Sequence, residues 1–373
     1  MFQPRNPERR LGFGMMRLHR DENNAIDIEQ ASRLVDRYLE AGFCYFDTAW
    51  AYEGTEEAVR KALVERHPRE AFLLATKNAG YTSKTKQEAA AQLETSLERS
   101  GAGYFDCYLL HNLGRNRSAK YEEYGLWELM SEKKREGILR NIGFSFHGTA
   151  DELEEILTAH PETDFVQLQL NYIDWESANI QSRACYETAR RHNVPIIVME
   201  PVKGGMLANP PQQVAELLKK ENPEASYASW AIRFAAGLEG VAMVLSGMND
   251  MSQLEDNISV MDPFVPLSRQ EQETIRRAQQ ELAKLPLVAC TGCGYCMDAC
   301  PGEIAIPASF SAYNMAKMFG REEGLRRQKS MVDGAKKKRA GECLQCGKCE
   351  EVCPQHLAIR EDLRRVHELL GKE

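Results

Sequence analysis

Eight short runs rich in β-branched and aromatic residues recur between amphipathic helical stretches, and this alternation constrains the fold more than any other feature. The runs lie at 11–18, 43–48, 72–77, 105–111, 139–145, 165–170, 195–200 and 241–246. Helical patterns lie between them, for example at 27–41, 84–100, 121–136 and 177–192. Strands alternating with helices form a parallel sheet through right-handed crossovers. Eight units ending near residue 285 predict an α/β protein built as a closed (β/α)8 TIM barrel rather than an open doubly wound sheet. The dinucleotide fingerprint of open sheets is also incomplete, because Gly12-Phe-Gly14 is followed by Met15 and Met16 and lacks a third glycine.

Beyond Leu285-Pro286 the chain changes character. It reads Cys290-Thr-Gly-Cys293-Gly-Tyr-Cys296-Met-Asp-Ala-Cys300-Pro301, and later Cys343-Leu-Gln-Cys346-Gly-Lys-Cys349-Glu-Glu-Val-Cys353-Pro354. Two-residue spacers let one tight loop aim three thiolates at three corners of a cubane, and Cys-Pro then turns the chain away. Zinc also takes four cysteines, but it seldom uses three evenly spaced thiolates closed by Cys-Pro. The spacing resembles bacterial-type ferredoxins, which hold [4Fe–4S] clusters this way and lend the fourth cysteine to the other cluster. That resemblance implies one site at Cys290, Cys293, Cys296 and Cys353, and another at Cys343, Cys346, Cys349 and Cys300. The helical-looking insert 307–332 predicts a mainly α-helical dicluster ferredoxin-like domain at 286–373, after a barrel domain at 1–285.

Of 11 cysteines, eight belong to the motifs, leaving Cys44, Cys107 and Cys185 in apolar contexts that suit buried core thiols. The first ten residues contain no apolar run and predict no secretory signal. No stretch approaches the ~20 unbroken apolar residues of a membrane helix. A reducing, cytoplasmic setting is expected. The net charge of −8 argues against nucleic acid as a partner.

A barrel gathers function at the C-terminal ends of its strands. The unusual polar residues fall there. Asp47 ends the second run, with Tyr52 one turn beyond. Lys77 ends the third, His111 the fourth and Ser145 the fifth, while Gln167 and Gln169 interrupt the sixth. Singly, each has a bland structural explanation. Four closing successive strands do not.

Phe46-Asp47-Thr48-Ala49-x-x-Tyr52, Ala75-Thr76-Lys77, Tyr108-Leu109-Leu110-His111 and Ile142-Gly143-Phe144-Ser145 together resemble the aldo-keto reductase superfamily. With the cysteine segment, the chain is similar to the bacterial branch that carries a C-terminal ferredoxin-type domain. The resemblance implies NAD(P)H-dependent reduction of a carbonyl, with Asp47, Tyr52, Lys77 and His111 as the catalytic tetrad. Hydride reduction needs a proton for the developing alkoxide. Tyrosine is a poor acid, with a reference pKa of about 10, so Lys77 is expected to lower the pKa of Tyr52 and Asp47 to orient Lys77. His111 is expected to polarise the carbonyl.

For the nucleotide, the resemblance implies Ser145 and Gln167 at the carboxamide, Met199 at the nicotinamide face, and Lys203 and Gly204 near the pyrophosphate. Gly247, Asn249, Gln253, Asp256 and Asn257 match the adenosine end. Two departures matter. Phe146-His147 follows Ser145 where many relatives have Asn, and Gln253 stands where NADPH-preferring relatives place an arginine. The run Lys336-Lys-Lys-Arg339 offers either a solvated surface or a dock for a ferredoxin or flavodoxin. Two other functions stay open: an electron-transfer protein linking nicotinamide or flavin to such a carrier, and a regulatory nucleotide-binding barrel.

Overall fold

In the computed structural model, which describes residues 1–373 except 22, 115–116, 179, 334–336 and 372–373, eight strands close into a barrel in chain order. They are β1 (Leu11–Gly14), β2 (Tyr45–Asp47), β3 (Leu73–Asn78), β4 (Phe105–Leu113), β5 (Leu139–Phe146), β6 (Phe165–Gln169), β7 (Ile196–Met199) and β8 (Val241–Ser246). All neighbours are parallel, and β1 pairs with both β2 and β8. Parallel strands covered on both faces need apolar side chains on both, which is why all eight appear as nearly unbroken runs.

The expected barrel is the observed one, with local differences. The first run stops at Gly14 because Met15–Arg17 turn as a 3-10 helix. The helical pattern at 121–136 is two helices, Ser118–Glu123 and Leu126–Arg135, broken where Gly125 takes φ 62°. Register aligns the polar strand ends on one rim: Asp47 lies opposite Ala75, Lys77 opposite Leu109, and Ser145 opposite Gln167.

The opposite end of the barrel is closed by a residue that periodicity could not flag. Phe2 is 2% exposed, and its ring meets Tyr45 at 5.8 Å and Phe165 at 5.7 Å. Its N–H donates to the Asp164 carbonyl at 3.0 Å, which pins the N-terminal segment. Removing a buried aromatic costs about 3–5 kcal/mol. Phe2→Ala should therefore lower the urea midpoint markedly, whereas Met1→Ala, at an exposed position, should not.

The chain forms two compact units. One comprises Met1–Ser177, Gln181–Pro201 and Ser229–Leu267 and contains the barrel; the other comprises Ala178–Ile180, Val202–Ala228 and Ser268–Glu373. In the second, helices Ile306–Phe319 and Ile359–Leu370 supply Phe310, Tyr313, Leu363 and Val366 to a core that also takes in Cys296, Cys349 and Cys353, with Leu325 of the helix Arg321–Gln328 packed against it. Asn314 braces that core by exchanging hydrogen bonds of 2.8 and 2.7 Å with the backbone of Val288. This is the expected helical module. Among the described residues, no helix is long and apolar enough to cross a membrane.

Candidate active site

The rim formed by the ends of β2, β3 and β4 brings Asp47, Lys77 and His111 together. The Lys77 ammonium is 1% exposed and donates to Asp47 Oδ1 at 2.5 Å and to the Thr48 carbonyl at 2.7 Å. A buried ammonium is tolerable only when its donors are satisfied by such partners. Burial lowers its pKa, and the Asp47 charge opposes that, aided by Glu56, a buried carboxylate that accepts from Thr76 at 2.7 Å. The Lys77 Nζ lies 5.0 Å from the Tyr52 ring centroid. Tyr52 and His111 meet edge to face, their rings 5.6 Å apart at 83°.

One electrostatic expectation is overturned. The Tyr52 pKa does not come down below its ordinary value in the protein alone. Burial raises it well above 10.0, and Asp47 raises it further. The ammonium is committed to Asp47 and Thr48, so its field at the phenol is largely offset. Tyr52 is thus protonated at neutral pH.

His111 is neutral. It is 3% exposed, and burial, reinforced by the charges of Lys77, His147 and Arg117, holds its pKa well below 6.5. In the unfolded chain the same imidazole protonates near pH 6.5. Below that pH the unfolded state binds more protons than the folded one, so stability falls as pH falls. The slope is about 1.4 kcal/mol per pH unit for such a group. His111→Asn should flatten it, as read from urea midpoints between roughly pH 6.5 and 5.

Two aromatic and cationic neighbours escaped notice in the sequence. The Tyr81 ring lies 6.2 Å from His111, and the Arg117 guanidinium sits 5.6 Å over Tyr81. Tyr81 had a usable signal, since it stands four residues past Lys77 much as Tyr52 stands five past Asp47.

At the ends of β5 and β6, Ser145 and Gln167 are 1% and 2% exposed. Ser145 Oγ accepts from the Asn112 N–H at 2.7 Å, and the Gln167 amide donates to Asp47 Oδ2 at 3.1 Å. Polar side chains held so firmly at a barrel rim are a fitting donor set for a planar carboxamide. Met199 ends β7. Gly247 follows β8 directly and faces the Arg17 side chain. Asn257 donates to Ser246 Oγ at 2.8 Å, while Asn249 and Gln253 are tied together on the surface at 3.1 Å, with Asp256 on the same helix, Met251–Met261. Lys203 and Gly204 group with the cysteine segment in the second unit.

The eight motif cysteines line two cavities. Cys290, Cys293, Cys296 and Cys353 line one; Cys300, Cys343, Cys346 and Cys349 line the other. Each motif thus sends its fourth cysteine to its twin's cavity. Among the described residues, no three His, Cys, Asp or Glu gather tightly enough for a single ion. The thiols instead surround a volume, as four corner ligands of a cubane do. Cys44, Cys107 and Cys185 stand apart, the latter two buried.

Residues 10–280 match the Aldo/keto reductase family, nearly three quarters of the chain. The chain belongs to the aldo/keto reductase family. Residues 289–358 match the 4Fe-4S dicluster domain. An aldo-keto reductase of Mycolicibacterium smegmatis is 40% identical over 134 residues, 35% of this chain and 44% of that protein. The chain therefore spans less than half of that relative's length. An aldo-keto reductase of Mycolicibacterium vanbaalenii is 28% identical over 245 residues, 62% of this chain and 78% of that protein. Among solved structures, the holo form of a Bacillus halodurans aldo-keto reductase superposes with a TM-score of 0.58 at 25% identity, over 72% of this chain and 91% of that one. A Klebsiella pneumoniae aldo/keto reductase in complex with NADP and acetate gives 0.59 at 19% identity, over 74% and 94%, a likeness of fold. This aldo/keto reductase thus carries, besides its barrel, a segment with the ligands for two clusters.

Proposed function

We propose that this aldo/keto reductase interconverts a carbonyl (aldehyde, ketone or sugar) and its alcohol with NAD(P)H, Tyr52 acting as general acid and base, and that its clusters carry electrons. The observation behind this reading is the buried Asp47–Lys77 pair, 2.5 Å apart, beside Tyr52 and His111 on one rim. When bound, the nicotinamide supplies or accepts hydride and the clusters pass single electrons. Tyr52 gives its phenolic proton to the substrate oxygen. His111, neutral, donates a hydrogen bond to the same oxygen and polarises it. Lys77 stabilises the phenolate left behind, and Asp47 holds Lys77 in place. Ser145 and Gln167 would orient the carboxamide, Met199 would face the nicotinamide, and Gly247, Asn249, Gln253, Asp256 and Asn257 would hold the adenosine end.

We take the catalytic domain as 1–285 and the cluster domain as 286–373, in a reducing cytoplasm. The clusters' partner would be a ferredoxin or flavodoxin. Lys337 and Lys338 are exposed and would meet its acidic face, while Arg339 is held by Asp333 at 2.7 Å and Lys336 lies outside the described residues. Screening carbonyls and alcohols against nicotinamide absorbance tests the reading; the absence of any turnover would count against it.

Nucleotide preference follows from charge. Beside the helix Met251–Met261, Arg37 is held by Glu255 in a bidentate pair of 2.6 and 2.8 Å. With Gln253 at the expected phosphate position, a 2′-phosphate lacks a contact worth about 1.5–3 kcal/mol, tenfold or more in affinity. NADH should bind at least as tightly as NADPH in fluorescence titrations, and a strong NADPH preference would contradict this assignment of Gln253.

A further inference from the structure

The two cysteine loops are near copies in backbone. Gly292 and Gln345 take φ 71° and 56°, Gly294 and Gly347 take 86° and 83°, and Glu303 and His356 take 54° and 55°. Hydrogen bonds to sulfur, net charge and solvent exposure set the potential of an iron–sulfur cluster. One such hydrogen bond recurs in both loops: Gly292 N–H to Cys290 Sγ and Gln345 N–H to Cys343 Sγ both measure 3.4 Å. The loops differ in what covers them. Thr291 is 4% exposed, whereas its counterpart Leu344 is 66% exposed.

The segment following β7 makes that difference. A Cβ on Gly204 would come within 2.6 Å of the Thr291 carbonyl oxygen, so only glycine lets the segment lie there. The adjacent Lys203 is 1% exposed and adopts a left-handed φ of 51°. Its ammonium donates to Gln355 Oε1 at 3.1 Å, two residues past Cys353. Beside the second cavity, Arg360 is paired with Glu350 at 2.9 Å and is 47% exposed, so its field is both offset and screened.

We propose that Lys203 is a redox-tuning cation that makes the two clusters unequal, raising the potential of the one held by Cys290, Cys293, Cys296 and Cys353 above that of its twin. Reduction adds one electron, hence one negative charge, to a cluster. A fixed ammonium in a low-dielectric setting stabilises that added charge far more than exposed lysines do. The proposal rests on the two-cluster reading of this domain.

The test is an anaerobic redox titration followed by EPR on full-length, iron-loaded protein. Lys203→Met should move one midpoint to more negative potential, by ~tenfold in the reduction equilibrium or ~59 mV for a one-electron couple. The other midpoint should stay, and its signal should be the one relaxed by an added soluble paramagnet, since its loop is exposed. Lys203→Arg should keep both midpoints near wild type. Equal movement of both midpoints, or of neither, overturns the proposal. If Lys203→Met fails to hold its clusters, the wild type decides alone: separation from a buried cation survives high salt, and separation that collapses belongs to surface charges. Iron well short of about eight per chain would overturn the two-cluster reading itself.

Discussion

Replacing Tyr52 by Phe is expected to lower carbonyl reduction by about 10²–10⁴-fold, the contribution of a positioned general acid. The phenolic proton is used only as negative charge develops on the substrate oxygen, so its loss falls on the transition state and not on nucleotide binding. Burial holds Tyr52 protonated, and Lys77 waits 5.0 Å from its ring for the charge that appears when the proton leaves. Fluorescence titration should therefore show unchanged nucleotide affinity beside a collapsed rate. Near-normal turnover by the Tyr52→Phe protein would sink the assignment of all four rim residues, because their geometry converges on that phenol.

The second large effect concerns the clusters. Cys293→Ser should remove the first cluster and abolish electron delivery to a one-electron acceptor such as a viologen dye. The barrel should remain folded by circular dichroism, with Tyr52-dependent chemistry still measurable. Cys293 belongs to the second compact unit, which has its own core of Phe310, Tyr313, Leu363 and Val366, while Asp47, Tyr52, Lys77 and His111 belong to the first. Two sites with exchanged fourth ligands suit electron traffic, whereas a purely structural clamp would need only one. Global unfolding of the Cys293→Ser protein, or a wild type that passes electrons to no such acceptor, would favour clamping.

What the amino-acid order determined by itself was whatever depends on near neighbours. The eight apolar runs specified the barrel because strands buried on both faces admit few polar residues. For the same reason Asp47, Lys77, His111 and Ser145 stood out at the strand ends. The two-residue spacings of the cysteines likewise marked their loops, and the structure adds the left-handed turns that recur at Gly294 and Gly347. Tertiary structure alone decided whatever depends on burial and on charges distant in the chain. Phe2 became the plug of the barrel by reaching Phe165, and Arg37 was withdrawn from other use by Glu255, 218 residues away. Lys203 was placed against Gln355, 152 residues on. The direction of the Tyr52 pKa reversed for the same reason. Spacing can put a lysine near a tyrosine, but desolvation and the lysine's other partners decide what it does there, and both are properties of the folded chain.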